Sequence, residues 1–146
     1  MHCPIRSHIS TLALCTSFIE SASLFVLSVS AGFPSPAEDY EEGPLDLNTH
    51  LIAHPAATFF VRVSGDSMKE AGIFSGDLLI VDRSLTPVSG KVIIAVLDGA
   101  LTVKRLYQRG NTILLVPENS EYAAIPVKEE QQFEVWGVVT HVIHAV

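Results

Sequence analysis

Beyond residue 57 the chain alternates short apolar runs with polar breaks, and the runs read as strands. Thr58–Ser64 (TFFVRVS) is rich in β-branched and aromatic residues, which suit a pleated, half-buried surface. Leu78–Asp82 (LLIVD) is a short apolar run that begins after Gly76-Asp77. Lys91–Leu97 and Ala100–Tyr107 flank Asp98-Gly99. Asp-Gly between two apolar runs predicts a hairpin, because a type I′ turn needs positive φ at both central residues. Thr112–Val116 follows a turn at Arg109-Gly110-Asn111, and Phe133–Ile143 (FEVWGVVTHVI) reads as a long final strand. A short helix is expected at Leu47–Ala53 and a single turn after Ser67. The fold class is therefore mainly β, with antiparallel sheets curled on each other or partly closed into a barrel.

The pattern divides the chain into three zones. Residues 1–31 are apolar and Ser-rich, residues 32–46 (GFPSPAEDYEEGPLD) form a Pro/Gly-rich acidic stretch, and residues 47–146 hold the β-rich domain. Proline fixes φ and removes a donor, so 32–46 is expected to be an extended, solvated linker.

Composition narrows the function classes. With 48% hydrophobic and 17% charged residues the 146-residue chain can bury a core. The formal net charge of −7 excludes a protein that grips DNA through its own phosphate contacts. Cys3 and Cys15 are the only cysteines and both precede the domain, so no disulfide framework is expected. No apolar run is long enough for a membrane span. No phosphate-binding glycine loop is present. His50, His54, His141 and His144 lack the spacing of a zinc site, so they read as structural or surface residues, and neither metal nor cofactor is expected.

Three features can carry chemistry. Ser64-Gly65-Asp66-Ser67-Met68 follows a strand directly, so Ser67 sits on the turn leaving it. A serine there can project its hydroxyl while backbone N–H groups converge on one spot, as in an oxyanion hole. The same residues also make an ordinary turn, with Asp66 orienting it. Lys104 is the second feature. In strand alternation Thr102, Lys104 and Leu106 share one face, and Leu101, Val103 and Arg105 the other. A lysine buried between apolar positions has a lowered pKa, and in its neutral form it can take a serine proton. The alternative is a solvated lysine on an edge strand. The third is Ala31-Gly32, whose small residues suit threading into a narrow cleft. Val29-Ser30-Ala31, with Arg6 early and an apolar stretch late, also suits a secretory leader, although Glu20, Thr16, Ser17, Ser21 and Ser23 interrupt it. Trp136 and Tyr122 are expected in the core or at an interface.

Together these residues resemble the UmuD/LexA family of self-cleaving serine peptidases. The resemblance runs from Ala31-Gly32 through SGDSM (64–68) and VKRL (103–106) to WGVVTHVIHA (136–145), and covers residues 31–146. UmuD is the accessory subunit of polymerase V, the error-prone lesion-bypass polymerase of the bacterial SOS response. The resemblance implies the LexA/signal-peptidase-type β-fold with a flexible N-terminal arm. It implies Ser67 as nucleophile, Lys104 as general base, Ala31-Gly32 as the scissile bond, and the backbone N–H groups of Ser67 and Met68 as the oxyanion hole. It further implies a cytoplasmic homodimer, cleavage stimulated by a RecA filament on single-stranded DNA, and union of the shortened form with a UmuC-like Y-family polymerase subunit. Ala-Gly at the cut is typical of LexA repressors, whereas UmuD proteins often have Cys-Gly. Residues 1–30 match the family arm poorly. They are too few for a helix-turn-helix domain, so a UmuD-like subunit is expected and not a repressor.

Overall fold

The computed structural model describes residues 22–25, 31–32 and 41–146. The chain falls into two units, residues 1–46 and 47–146. In the first, β1 (Ala22–Phe25) pairs antiparallel with β2 (Glu41–Leu45). The C-terminal end of the expected linker is thus a strand. Proline fixes an extended φ and lacks only a donor, so a strand with a free edge accepts Pro44. The remaining linker residues, 33–40, and the arm residues 1–21 and 26–30 lie outside the described residues.

The second unit is built on a seven-stranded antiparallel sheet. Its strands are β3 (Thr58–Arg62), β4 (Leu78–Asp82), β5 (Val92–Leu97), β6 (Ala100–Arg109), β7 (Thr112–Val116), β8 (Ile125–Pro126) and β9 (Phe133–Ile143), in the order β3-β4-β9-β5-β6-β7-β8. The only described α-helix, α1, spans Leu47–Leu51. A 3₁₀ turn at Lys69–Ala71 follows Ser67. The chain is mainly β, as its patterning predicts. Among the described residues no helix is long and apolar enough to cross a membrane.

Local chemistry explains the pairings. Asp98 (φ 49°) and Gly99 (φ 81°) both adopt the positive φ of a type I′ turn, so Leu97 pairs directly with Ala100. β9 sits centrally between β4 and β5, and its register slips on both sides. Val81 and Ile80 of β4 face Val139 and His141, which leaves Thr140 extra. Ile94 and Ala95 of β5 face Gly137 and Val135, which leaves Trp136 extra. Bulges of this kind bend a strand and increase its twist, so β9 can curl across the sheet.

The curl gives the sheet cores on both faces. Ile94 packs with Val63, Met68, Ile73, Leu79 and Val81, while its neighbours Ile93 and Ala95 pack with Leu106, Leu115 and Val138. Four consecutive residues of β4, Leu79–Asp82, are buried, the pattern of a strand covered on both sides. Gly137 is required where β9 crosses β4, because a Cβ there would lie 2.6 Å from Val81 Cγ1.

Candidate active site

Ser67 lies in the loop that leaves β3, and that loop is pinned on several sides. Val63 N–H donates to Asp77 O and Gly76 N–H to Val63 O, both at 2.9 Å. Gly65, with φ 97°, turns the chain, and its N–H donates to Ser75 Oγ at 3.2 Å. Met68, 2% exposed, plugs the next residue into the core. From the far side the segment after β7 holds the same loop. Glu118 N–H donates to Ser67 O at 2.9 Å, Asn119 Nδ2 to Asp66 O at 2.9 Å, and Tyr122 Oη to Asp66 Oδ1 at 2.7 Å. That carboxylate raises the pKa of the Tyr122 phenol, first through the hydrogen bond and then through its charge.

Lys104 reaches Ser67 from β6. Its Nζ lies 2.9 Å from Ser67 Oγ, 2.9 Å from Thr102 Oγ1 and 2.9 Å from Val103 O. Thr102, two residues earlier on the strand, shares its face and supplies the second contact. Lys104 is 7% exposed, and no carboxylate among the described residues pairs with it. Burial therefore pushes its pKa below the ordinary lysine value. Three acceptors match the three donors of an ammonium. They match a neutral amine equally well, with N–H groups to Thr102 and Val103 and the lone pair receiving the Ser67 hydroxyl. That second arrangement can deprotonate the serine.

Ser67 and Thr102, both in contact with Lys104 Nζ, line a cleft of about 450 Å³. Its walls include Val61 and Val63 from β3 and the following loop, Ile94 from β5, Leu101 and Val103 from β6, and Trp136 from β9. Trp136 also packs against Phe59 with ring centroids 5.3 Å apart and planes tilted by 58°, and the Arg83 guanidinium lies 4.8 Å from its ring. An apolar trough beside a serine and a buried amine suits an extended peptide with small apolar side chains. The N–H groups of Ser67 and Met68 donate to no acceptor among the described residues.

Ser67 and Lys104, chosen from the sequence, are thus hydrogen-bonded neighbours. Ala31 and Gly32 are exposed residues of the other unit. The histidines are structural in part: His54 Nδ1 and His144 Nδ1 each lie 2.6 Å from a buried carboxylate, of Asp82 and Asp77 respectively. Among the described residues no group of His, Cys, Asp or Glu is arranged to hold a metal ion. Thr102, Glu118 and Asn119 shape the site but were not singled out in the sequence. Pro117-Glu118-Asn119-Ser120 reads locally as a plain turn, and only the fold brings it against Ser67.

Fold and site together define a serine peptidase of the LexA/UmuD type. Residues 23–140 match the family described as Peptidase S24-like. The chain is 51% identical to Protein SamA of Salmonella typhimurium over 124 residues, covering 85% of this chain and 86% of SamA. It is 49% identical to Protein ImpA of Escherichia coli over 122 residues (83% and 82%) and 42% identical to Protein MucA of Escherichia coli over 126 residues (86% and 86%). The chain belongs to the S24 peptidase family, among the UmuD-like proteins of SOS mutagenesis.

Proposed function

We propose that this protein cuts its own backbone between Ala31 and Gly32 with a Ser67–Lys104 dyad, and that the shortened form serves lesion-bypass DNA synthesis. The observation that carries this is the 2.9 Å contact between Ser67 Oγ and the Nζ of a buried lysine that has no carboxylate partner among the described residues. Neutral Lys104 takes the Ser67 hydroxyl proton as Oγ attacks the Ala31 carbonyl carbon. The carbonyl oxygen becomes an oxyanion held by the N–H groups of Ser67 and Met68. As the intermediate collapses, the Ala31–Gly32 C–N bond breaks, and Lys104 returns the proton to the Gly32 nitrogen. Water then attacks the Ala31–Ser67 ester and gives its proton to Lys104, which passes it to Ser67 Oγ. Residues 1–31 leave as the removed arm, and residues 32–46 remain as a linker on the 47–146 peptidase domain.

Because the substrate is tethered, orientation replaces affinity for a separate substrate. A homodimer, stimulation by a RecA filament on single-stranded DNA, and union with a UmuC-like Y-family polymerase subunit in the cytoplasm complete the proposal. Family membership supports these partners. The net charge of −7 supports indirect contact with DNA, through protein partners.

The test is incubation with activated RecA filament, comparing wild type, Ser67→Ala and Lys104→Ala by intact mass. Wild type yields the 1–31 and 32–146 fragments, and both variants stay whole. A cut that persists in Ser67→Ala assigns it to a separate peptidase, as an exported β-domain would need. Wild-type protein left whole after prolonged alkaline incubation points to an interaction module instead.

A further inference from the structure

The two peptide groups at the nucleophile are held by their carbonyls. Asp66 O accepts from Asn119 Nδ2 at 2.9 Å and from Lys69 N–H at 3.2 Å. Ser67 O accepts from Glu118 N–H at 2.9 Å. A trans peptide is planar, and its N–H points opposite its C=O. Tying down the Asp66 carbonyl therefore aims the Ser67 N–H away from residues 118–119. Tying down the Ser67 carbonyl aims the Met68 N–H away in the same manner. Both of these N–H groups find no acceptor among the described residues.

Asn119 is built for this task more than for general loop packing. It is 3% exposed and both ends of its amide are engaged. Nδ2 donates to Asp66 O, while Oδ1 accepts from Glu121 N–H at 3.0 Å, which fixes the plane of the amide. The segment carrying it is itself anchored. Arg105 pairs with the Glu118 carboxylate, and Glu70 N–H donates to Glu118 O at 2.8 Å. Arg105 is the strand neighbour of Lys104, so β6 supports both sides of the site.

We infer that Asn119 is a positioning residue that sets the oxyanion hole, by turning the Asp66–Ser67 peptide so that the Ser67 N–H faces the reacting carbonyl oxygen. This rests on the serine–lysine self-cleavage proposed above. Asn119→Asp is the informative change. It keeps an acceptor for Glu121 N–H, removes the donor to Asp66 O and sets a carboxylate oxygen against that carbonyl.

The experiment follows unassisted self-cleavage of the full chain by intact mass across neutral to alkaline pH, with thermal melting alongside. In wild type the rate rises to a plateau whose midpoint reports Lys104. In Asn119→Asp the plateau falls roughly 10–100-fold, somewhat less than the loss of a whole oxyanion donor; the new carboxylate raises the midpoint by its charge, so the midpoint is read in uncharged Asn119→Ala, where it stays in place.

A general loosening of the site gives a different signature. Water admitted to Lys104 moves the midpoint up toward an ordinary lysine. A plateau within about threefold of wild type, or a fall in uncharged Asn119→Ala accompanied by a moved midpoint, overturns the role of Asn119 while leaving the dyad intact. If Asn119→Asp does not fold, uncharged Asn119→Ala is read by the same criteria. Wild type that does not cut itself, or a Ser67→Ala variant that does, defeats the dyad instead.

Discussion

If Lys104 is the base, self-cleavage must follow its deprotonation. An ammonium cannot accept the serine proton, so the rate tracks the neutral fraction. Below the lysine pKa that fraction rises about tenfold per pH unit, then levels off above it. Burial is the cause of the shift at Lys104, and burial disfavours the charged form, so the whole curve lies to the acid side of an ordinary lysine at 10.5. At any neutral pH the active fraction is correspondingly larger than for an exposed lysine. Lys104→Arg removes this behaviour, because a guanidinium stays charged throughout. The variant should lose about 10²–10⁴-fold in rate, the usual worth of a positioned general base, and also its slope. The assay is intact mass against time at a series of pH values, without RecA so that filament assembly adds no pH dependence. A wild-type rate flat from neutral to alkaline pH refutes Lys104 as base. So does an unchanged slope in Lys104→Arg.

Other predictions concern stability. Lys104→Met should raise the melting temperature at neutral pH, since a buried ammonium without a carboxylate is costly, and about 1 kcal/mol moves Tm by about 4–8 °C in a domain of this size. Between the lowered pKa and 10.5 the folded protein binds fewer protons than the unfolded chain, so the gain is full below that window and fades as pH rises through it toward 10.5. Gly137→Ala should cost about 1–3 kcal/mol by overpacking, read as a lower urea midpoint, because Val81 at 0% exposure has no room to retreat. Asp82 is held at about 2 by hydrogen bonds from Ser84 and then His54, so its contribution is full above 3.8 and is lost as pH falls toward 2. Asp82→Asn should flatten that part of the acid-unfolding curve, followed by urea denaturation at pH 2–5.

The sequence alone determined the strands whose periodicity and turns are local. Leu78–Asp82, Thr112–Val116 and Phe133–Ile143 stand at the predicted bounds, and the Asp98-Gly99 hairpin has the predicted φ signs. It also nominated Ser67 and Lys104, because a turn serine and a lysine within an apolar strand are visible in one dimension. It overlooked Ile125–Pro126, whose two residues carry no period, and it read Glu41–Leu45 as linker because Pro44 and Gly43 mask a strand that needs a partner. Tertiary structure alone decided the 2.9 Å meeting of Ser67 and Lys104, since they stand 37 residues apart and only the curled sheet closes that distance. It also decided that Lys104 is buried, which sets the direction of its pKa. The clamp of Glu118 and Asn119 on the Ser67 loop belongs wholly to that level. Its hydrogen bonds go to backbone carbonyls, and those carry no side-chain signal in the sequence.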